Sequence, residues 1–133
     1  MSKQGFSLLE MLIVVLLLGI LTAIAYPAYQ QYVLRSYRAE AVTTMLTIAS
    51  RQEQLLADFA EYSADLVKLG LSGGATPSGR YRLQIQLQEH NQAYRLLMIA
   101  QGPQQQDSKC RHYSLNHLGQ RNVDITEPIS CWQ

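Results

Sequence analysis

Charged residues are scarce in this chain: they make up 16% of its 133 residues, and none falls between positions 11 and 29. Eleven Lys and Arg stand against ten Asp and Glu, for a formal net charge of +1 that includes Lys3. Bulk charge therefore selects no class of partner. Only two cysteines are present, Cys110 and Cys131. They permit one intramolecular pairing or two buried free thiols, and the pairing is expected if the segment that holds them is exported to an oxidising compartment. Histidine occurs three times. His112 and His117 lie an odd number of residues apart on a predicted strand, hence on opposite faces, and His90 lies in a turn, so joint metal ligation is not expected. No nucleophile, triad or phosphate-loop spacing is found, so the sequence points to no enzyme, no cofactor and no metal.

The apolar content is concentrated at one end. The nineteen residues 11–29 would form a helix of about 28 Å, close to the thickness of the hydrocarbon core of a bilayer. The remainder from Gln30 onward, roughly 100 residues, is enough for one modest core. Three readings of the apolar run stay open on its residues alone. Lys3 and the small-x-small run Ala23, Ile24, Ala25 before Tyr26 fit a secretory signal peptide. The length fits a plain membrane anchor. Glu10 suits neither, because a carboxylate in hydrocarbon costs a few kcal/mol and by default has a functional partner. The third reading keeps Glu10: close to a helix N-terminus, it could pair with the terminal amine of a neighbouring subunit and fix the register of assembly, or it could simply cap the helix start. Gly5 offers no side chain to a protease and lets the backbone approach closely. Gly19 and Pro27 weaken a helix by about 1 and 3 kcal/mol in interior positions.

Gly5, Phe6, Ser7, Leu8, Leu9, Glu10 and Met11, with the apolar run after them, resemble the class III leader of type IV prepilins. The resemblance implies a leader of residues 1–5, cut by a prepilin peptidase between Gly5 and Phe6, with Phe6 then N-methylated and Glu10 fifth in the processed chain. It also implies that the stretch from Gly19 to Pro27 can lose helix on filament assembly. Pseudopilins of type II secretion share the motif. On this reading residues 6–29 are a transmembrane and later filament-core helix. The chain starts in the bacterial inner membrane, single-pass with its C-terminal domain periplasmic, and ends in an extracellular pilus.

Beyond Pro27 the apolar residues Val42, Met45, Leu46, Ala49, Leu56, Phe59 and Ala60 recur near helical spacing, predicting an amphipathic helix over 30–68. Glycines and Pro77 make 69–80 a loop. Strict alternation predicts a strand over 81–88, a turn at 89–92 and strands over 94–100 and 111–118, within a sheet region 81–121 joined by short antiparallel connections. The fold class is α+β: a long N-terminal helix packed on a three- to four-stranded antiparallel sheet. TPSGRY (76–81), CRHYSLNHLGQR (110–121) and the terminal Cys131 with Trp132 are similar to the C-terminal pattern of type IV pilins, most of all PilE-like minor pilins. That similarity implies a disulfide between Cys110 and Cys131 bounding a C-terminal region, 110–131. Its implied role is that of a structural minor pilin serving pilus assembly, in adhesion, twitching motility or DNA uptake. The implied partners are other pilins, the inner membrane, the peptidase and the assembly machinery. Arg80, Arg82 and Arg121 are candidate DNA contacts, the first two sharing a strand face by period two. The alternatives are a DNA-binding competence pilin and a secretion pseudopilin.

Overall fold

The computed structural model describes residues 5–133; the other leader residues, with Lys3, lie outside the described residues. Helix α1 spans Leu8–Phe59 and is continuous through Gly19 and Pro27. The chain divides into two compact units, one ending at Val33 and the other Leu34–Gln133.

In the first unit every residue from 5 to 32 is exposed. Leu, Ile, Val and Met side chains on all sides of the helix have nothing to pack on, a surface that water does not tolerate without a partner. Gly19 has open space around its α-carbon. Thr22 donates its hydroxyl back to the carbonyls of Leu18 and Gly19 at 2.8 and 3.0 Å.

In the second unit α1 packs on a sheet of three antiparallel strands, β1 (Tyr81–Gln88), β2 (Ala93–Ala100) and β3 (His112–Asn116), in the order β1-β2-β3. Alternation directs Tyr81 and Leu83 of β1, Tyr94, Leu96 and Met98 of β2, and Tyr113 and Leu115 of β3 into the core. The helix contributes Ala41, Met45, Ile48 and Gln52. This stripe differs from the predicted one: Leu46 and Phe59 are exposed, and Val42, Ala49 and Leu56 only flank the core. The buried face ends on Gln52, a polar residue that apolar periodicity does not select. Its amide donates to the Ser63 carbonyl at 2.6 Å and accepts from the Ser63 amide at 3.0 Å. Gln52→Ala is expected to cost about 2–4 kcal/mol in denaturant unfolding, because both backbone groups of Ser63 lose their partner.

The helix stops at Phe59, short of the predicted 68. Ala60 takes a left-handed conformation, with φ of 59°, and the Gln92 side chain donates to its carbonyl at 2.8 Å. Asp65 then accepts from the amides of Val67 and Lys68, closing a local turn instead of a further helical one. The predicted loop 69–80 therefore begins at residue 60. Arg51 reaches from α1 to the Leu69 carbonyl at 2.7 Å, across the place a side chain at Gly70 would occupy. Between β2 and β3, Gly102–Gln106 forms a 3-10 helix, and β3 is shorter than predicted.

Candidate functional site: an apolar assembly helix and a cross-braced C-terminal surface

At the N-terminal end, α1 begins at Leu8, and the Met11 amide donates to the Ser7 carbonyl at 3.2 Å. Glu10 is in the first turn. Its carboxylate is exposed and takes no hydrogen bond or ion pair from the described residues. The positive end of the helix dipole favours a carboxylate at this position. Gly5 has no atom within 4 Å of where a β-carbon would stand, so the backbone between Gly5 and Phe6 is open to approach.

At the other end, Cys110 and Cys131 form a disulfide with α-carbons 5.7 Å apart. The segment inside it has no helix or strand between 122 and 128 and is held instead by side-chain bonds. Asn122, at φ of 51°, accepts at one side-chain oxygen from the Ser114 amide (2.9 Å) and the Trp132 indole (2.8 Å), and its own amide donates to the Ser114 carbonyl at 2.9 Å. The C-terminal segment thus covers the free edge of β3. Outside the sheet, Asp124 pairs with Arg95 and accepts from the Ser114 hydroxyl, and Glu127 meets His112 Nδ1 at 2.5 Å. No spacing rule marks Asn122 as the hub; its neighbours are fixed only by the fold.

Burial opposes ionisation of Glu127, but the His112 contact and a backbone hydrogen bond outweigh it and hold its pKa below the usual carboxylate value. Because the folded pKa is the lower one, Glu127 contributes stability that is present above the unfolded carboxylate pKa and is lost as pH falls through the lowered value. Protection of amides around residues 124–129, measured against their intrinsic exchange rate at each pH, is therefore expected to fall on acidification before that of β1 and β2. Reducing the disulfide is expected to raise exchange throughout residues 110–131 while leaving the β1–β2 pair protected, since the closed loop contributes about 3 kcal/mol to that segment.

Beneath this surface lies a buried polar cluster that the sequence does not signal. Arg38 clamps Asp107 with two hydrogen bonds, Nε to Oδ2 at 2.5 Å and Nη2 to Oδ1 at 2.7 Å, and Asp107 is only 3% exposed. The bond to Asp107 raises the Arg38 pKa, outweighing burial. Gln104 donates to the Tyr81 hydroxyl at 2.9 Å and the Leu34 carbonyl at 3.1 Å. Burial raises the pKa of both Tyr81 and Tyr113, so these phenols stay neutral. Tyr81, Tyr113 and Trp132 form an edge-to-face series with centroids 5.7 Å apart at each step.

The three candidate arginines do not form one patch by strand geometry. β1 begins at Tyr81, so Arg80 precedes it, and its guanidinium lies over the Tyr37 ring of α1 at 4.4 Å. Arg82 is exposed on the outer face among the glutamines of β1. The expected shared face of Arg80 and Arg82 is thus broken by the attraction of Arg80 to an aromatic ring. Arg121 is exposed and lies over Trp132 at 5.1 Å. His112 and His117 go separate ways, to Glu127 and to the Tyr62 and Tyr94 rings. Among the described residues no three acidic, histidine or cysteine side chains converge as metal ligands.

Two family profiles match this chain. Residues 1–26 match the prokaryotic N-terminal methylation motif, and residues 27–114 match the family described as type IV minor pilin ComP, DNA uptake sequence receptor. The chain belongs to the type IV pilin family. This pilin is 38% identical over 79 residues to the fimbrial protein EcpC of Eikenella corrodens, covering 59% of its own length and 50% of that relative. It is 28% identical over 86 residues to the type IV major pilin protein PilE of Neisseria gonorrhoeae, covering 65% of its own length and 52% of that relative. It spans about half the length of these relatives. A solved type IV pilin from Shewanella oneidensis superposes with a TM-score of 0.55 at 20% identity, covering 75% of this pilin and 98% of that chain. That likeness shows the pilin fold, with the long helix on an antiparallel sheet.

Proposed function

We propose that this pilin is a structural subunit of a type IV pilus, of the minor kind, matured by a prepilin peptidase that cuts between Gly5 and Phe6 and methylates Phe6. Before assembly, residues 6–29 hold it in the inner membrane with the second unit in the periplasm. On extraction by the assembly machinery the same surface is buried among neighbouring pilins. The observation that carries this reading is the fully exposed apolar helix with a single carboxylate, Glu10, in its first turn. Burial of that surface drives assembly, and pairing of Glu10 with the terminal amine of an adjacent subunit sets the register. The stretch from Gly19 to Pro27, weakest in intrinsic helix stability, is where α1 opens when subunits pack. Mass spectrometry of sheared pili tests the reading: the chain should be present at a small fraction of the main subunit, and its absence from filaments would overturn it.

A second reading, DNA uptake, is favoured by the match over residues 27–114 to a family described as a DNA uptake sequence receptor. Arg82 and Arg121, exposed and outside any ion pair among the described residues, are its candidate phosphate contacts, with Arg80 contributing if it leaves Tyr37. The full chain in detergent should then shift duplex DNA with an affinity that falls steeply with salt, and the shift should weaken when Arg82 and Arg121 become alanine. Salt-independent binding, or none, would dismiss it.

A further inference from the structure

β1 is an edge strand, and only its first half is covered. Arg82 bridges to Ala75, with the Thr76 amide donating to the Tyr81 carbonyl at 2.9 Å and the Leu83 amide to the Gly74 carbonyl at 2.7 Å. These bonds fix the phase of the strand: odd-numbered residues turn their amides and carbonyls away from β2, even-numbered ones toward it. Past Leu83 this backbone pairing ends. Ile85 and Leu87 therefore present their backbone groups outward, with no backbone partner among the described residues. Edges of this kind are normally blunted by charge, proline or a bulge. Residues 84–88 read Gln-Ile-Gln-Leu-Gln, uncharged and without proline, and they pair with β2 in unbroken register. Beside Leu87 opens a groove of about 500 Å³ lined by Leu55, Phe59 and Tyr62 and rimmed by Glu61 and Lys68, and Phe59 is 69% exposed.

We propose that this edge pairs with the same edge of a second copy of the chain, antiparallel about a two-fold axis through Gln86. The segment is its own complement. Ile85 falls opposite Leu87 of the second copy and Leu87 opposite its Ile85, each pair exchanging both backbone hydrogen bonds. Gln84 faces Gln88, and Gln86 faces Gln86. On the core side apolar meets apolar beside the groove; on the outer side glutamine meets glutamine, with no like charges opposed. The register is unique within this edge. A two-residue shift one way brings in Leu83, whose amide is already engaged by Gly74; the other way brings in Glu89, at φ of 51° and outside the strand. The two-fold stands normal to the sheet, so it reverses the Leu34–Phe59 part of α1 in one copy against the other. That distinguishes the contact from parallel packing of subunits within a filament and makes it one between copies in separate filaments.

Cysteine cross-linking of the full chain in excess detergent tests this. Gln84, Gln86 and Gln88 are all exposed on the outer face, so single Gln→Cys changes there leave the core untouched. Position 86 is a non-hydrogen-bonded self-pair with β-carbons about 4.5–5.5 Å apart, near disulfide reach. Mild oxidation should give a covalent dimer for Gln86→Cys and little for Gln84→Cys or Gln88→Cys. By sedimentation the unmodified chain should show a dimer that Gln86→Glu removes without changing near-ultraviolet circular dichroism, because the new carboxylate suits its own cross-strand partner Arg95 but opposes its copy on the axis. Equal cross-linking at all three positions, none at 86, or a dimer indifferent to Gln86→Glu would overturn the proposal.

Discussion

Pili from cells expressing Glu10→Val as the sole copy of this pilin are expected to lack it, although the membrane pool should still show the leader removed. On the proposed maturation, cleavage reads Gly5 and the backbone around it, which the change leaves alone. Assembly, on the proposed register, reads the charge: the Glu10 carboxylate and a neighbour's terminal ammonium would neutralise each other in a low-dielectric filament core. Valine would leave the ammonium buried without a partner, at a cost of about 3–5 kcal/mol, or about two to four orders of magnitude in incorporation. Glu10→Asp should recover part of it, because the charge returns on a shorter side chain. Normal incorporation of the valine variant would show that Glu10 only caps the helix start.

Asp107→Ala, at a buried position between β2 and β3, is expected to cost about 3–5 kcal/mol in unfolding. Removing the carboxylate leaves the part-buried Arg38 guanidinium without its paired acceptor, and an unpartnered buried charge is far more costly than an absent pair. The double variant Arg38→Leu, Asp107→Leu should therefore be more stable than Asp107→Ala alone. Trp132, the only tryptophan and buried against Tyr113, reports the transition by fluorescence. A loss under about 1 kcal/mol, the range of exposed pairs, would mean the clamp is solvated in solution.

These two effects mark what the residues disclose by themselves and what needs the fold. Glu10 is legible because its surroundings are local: one carboxylate ahead of an uncharged apolar run is an anomaly on any reading. The strands are legible for the same reason, since Tyr81, Leu83, Ile85 and Leu87 alternate with polar residues within a single element. Asp107 is not. Its partner lies 69 residues away on α1, and in sequence it is a polar residue in a polar loop. Gln52 and Asn122 share this character, each an amide whose value lies in pairing with backbone that only tertiary structure brings near. The helix end is not legible because Ala60, an intrinsically good helix former, is held in a left-handed conformation by contacts from Gln92. The shared face for Arg80 and Arg82 fails because period two applies inside a strand, and Arg80 stands one residue outside it.

The central claim is that the apolar helix is retained with Glu10 near its start. The most direct test is to determine the N-terminal residue of this chain in sheared pili by mass spectrometry. N-methylated Phe6, with Glu10 in fifth place, is the expected result. Tyr26 as the first residue would mean secretory cleavage and loss of the helix with its carboxylate, and would contradict the account.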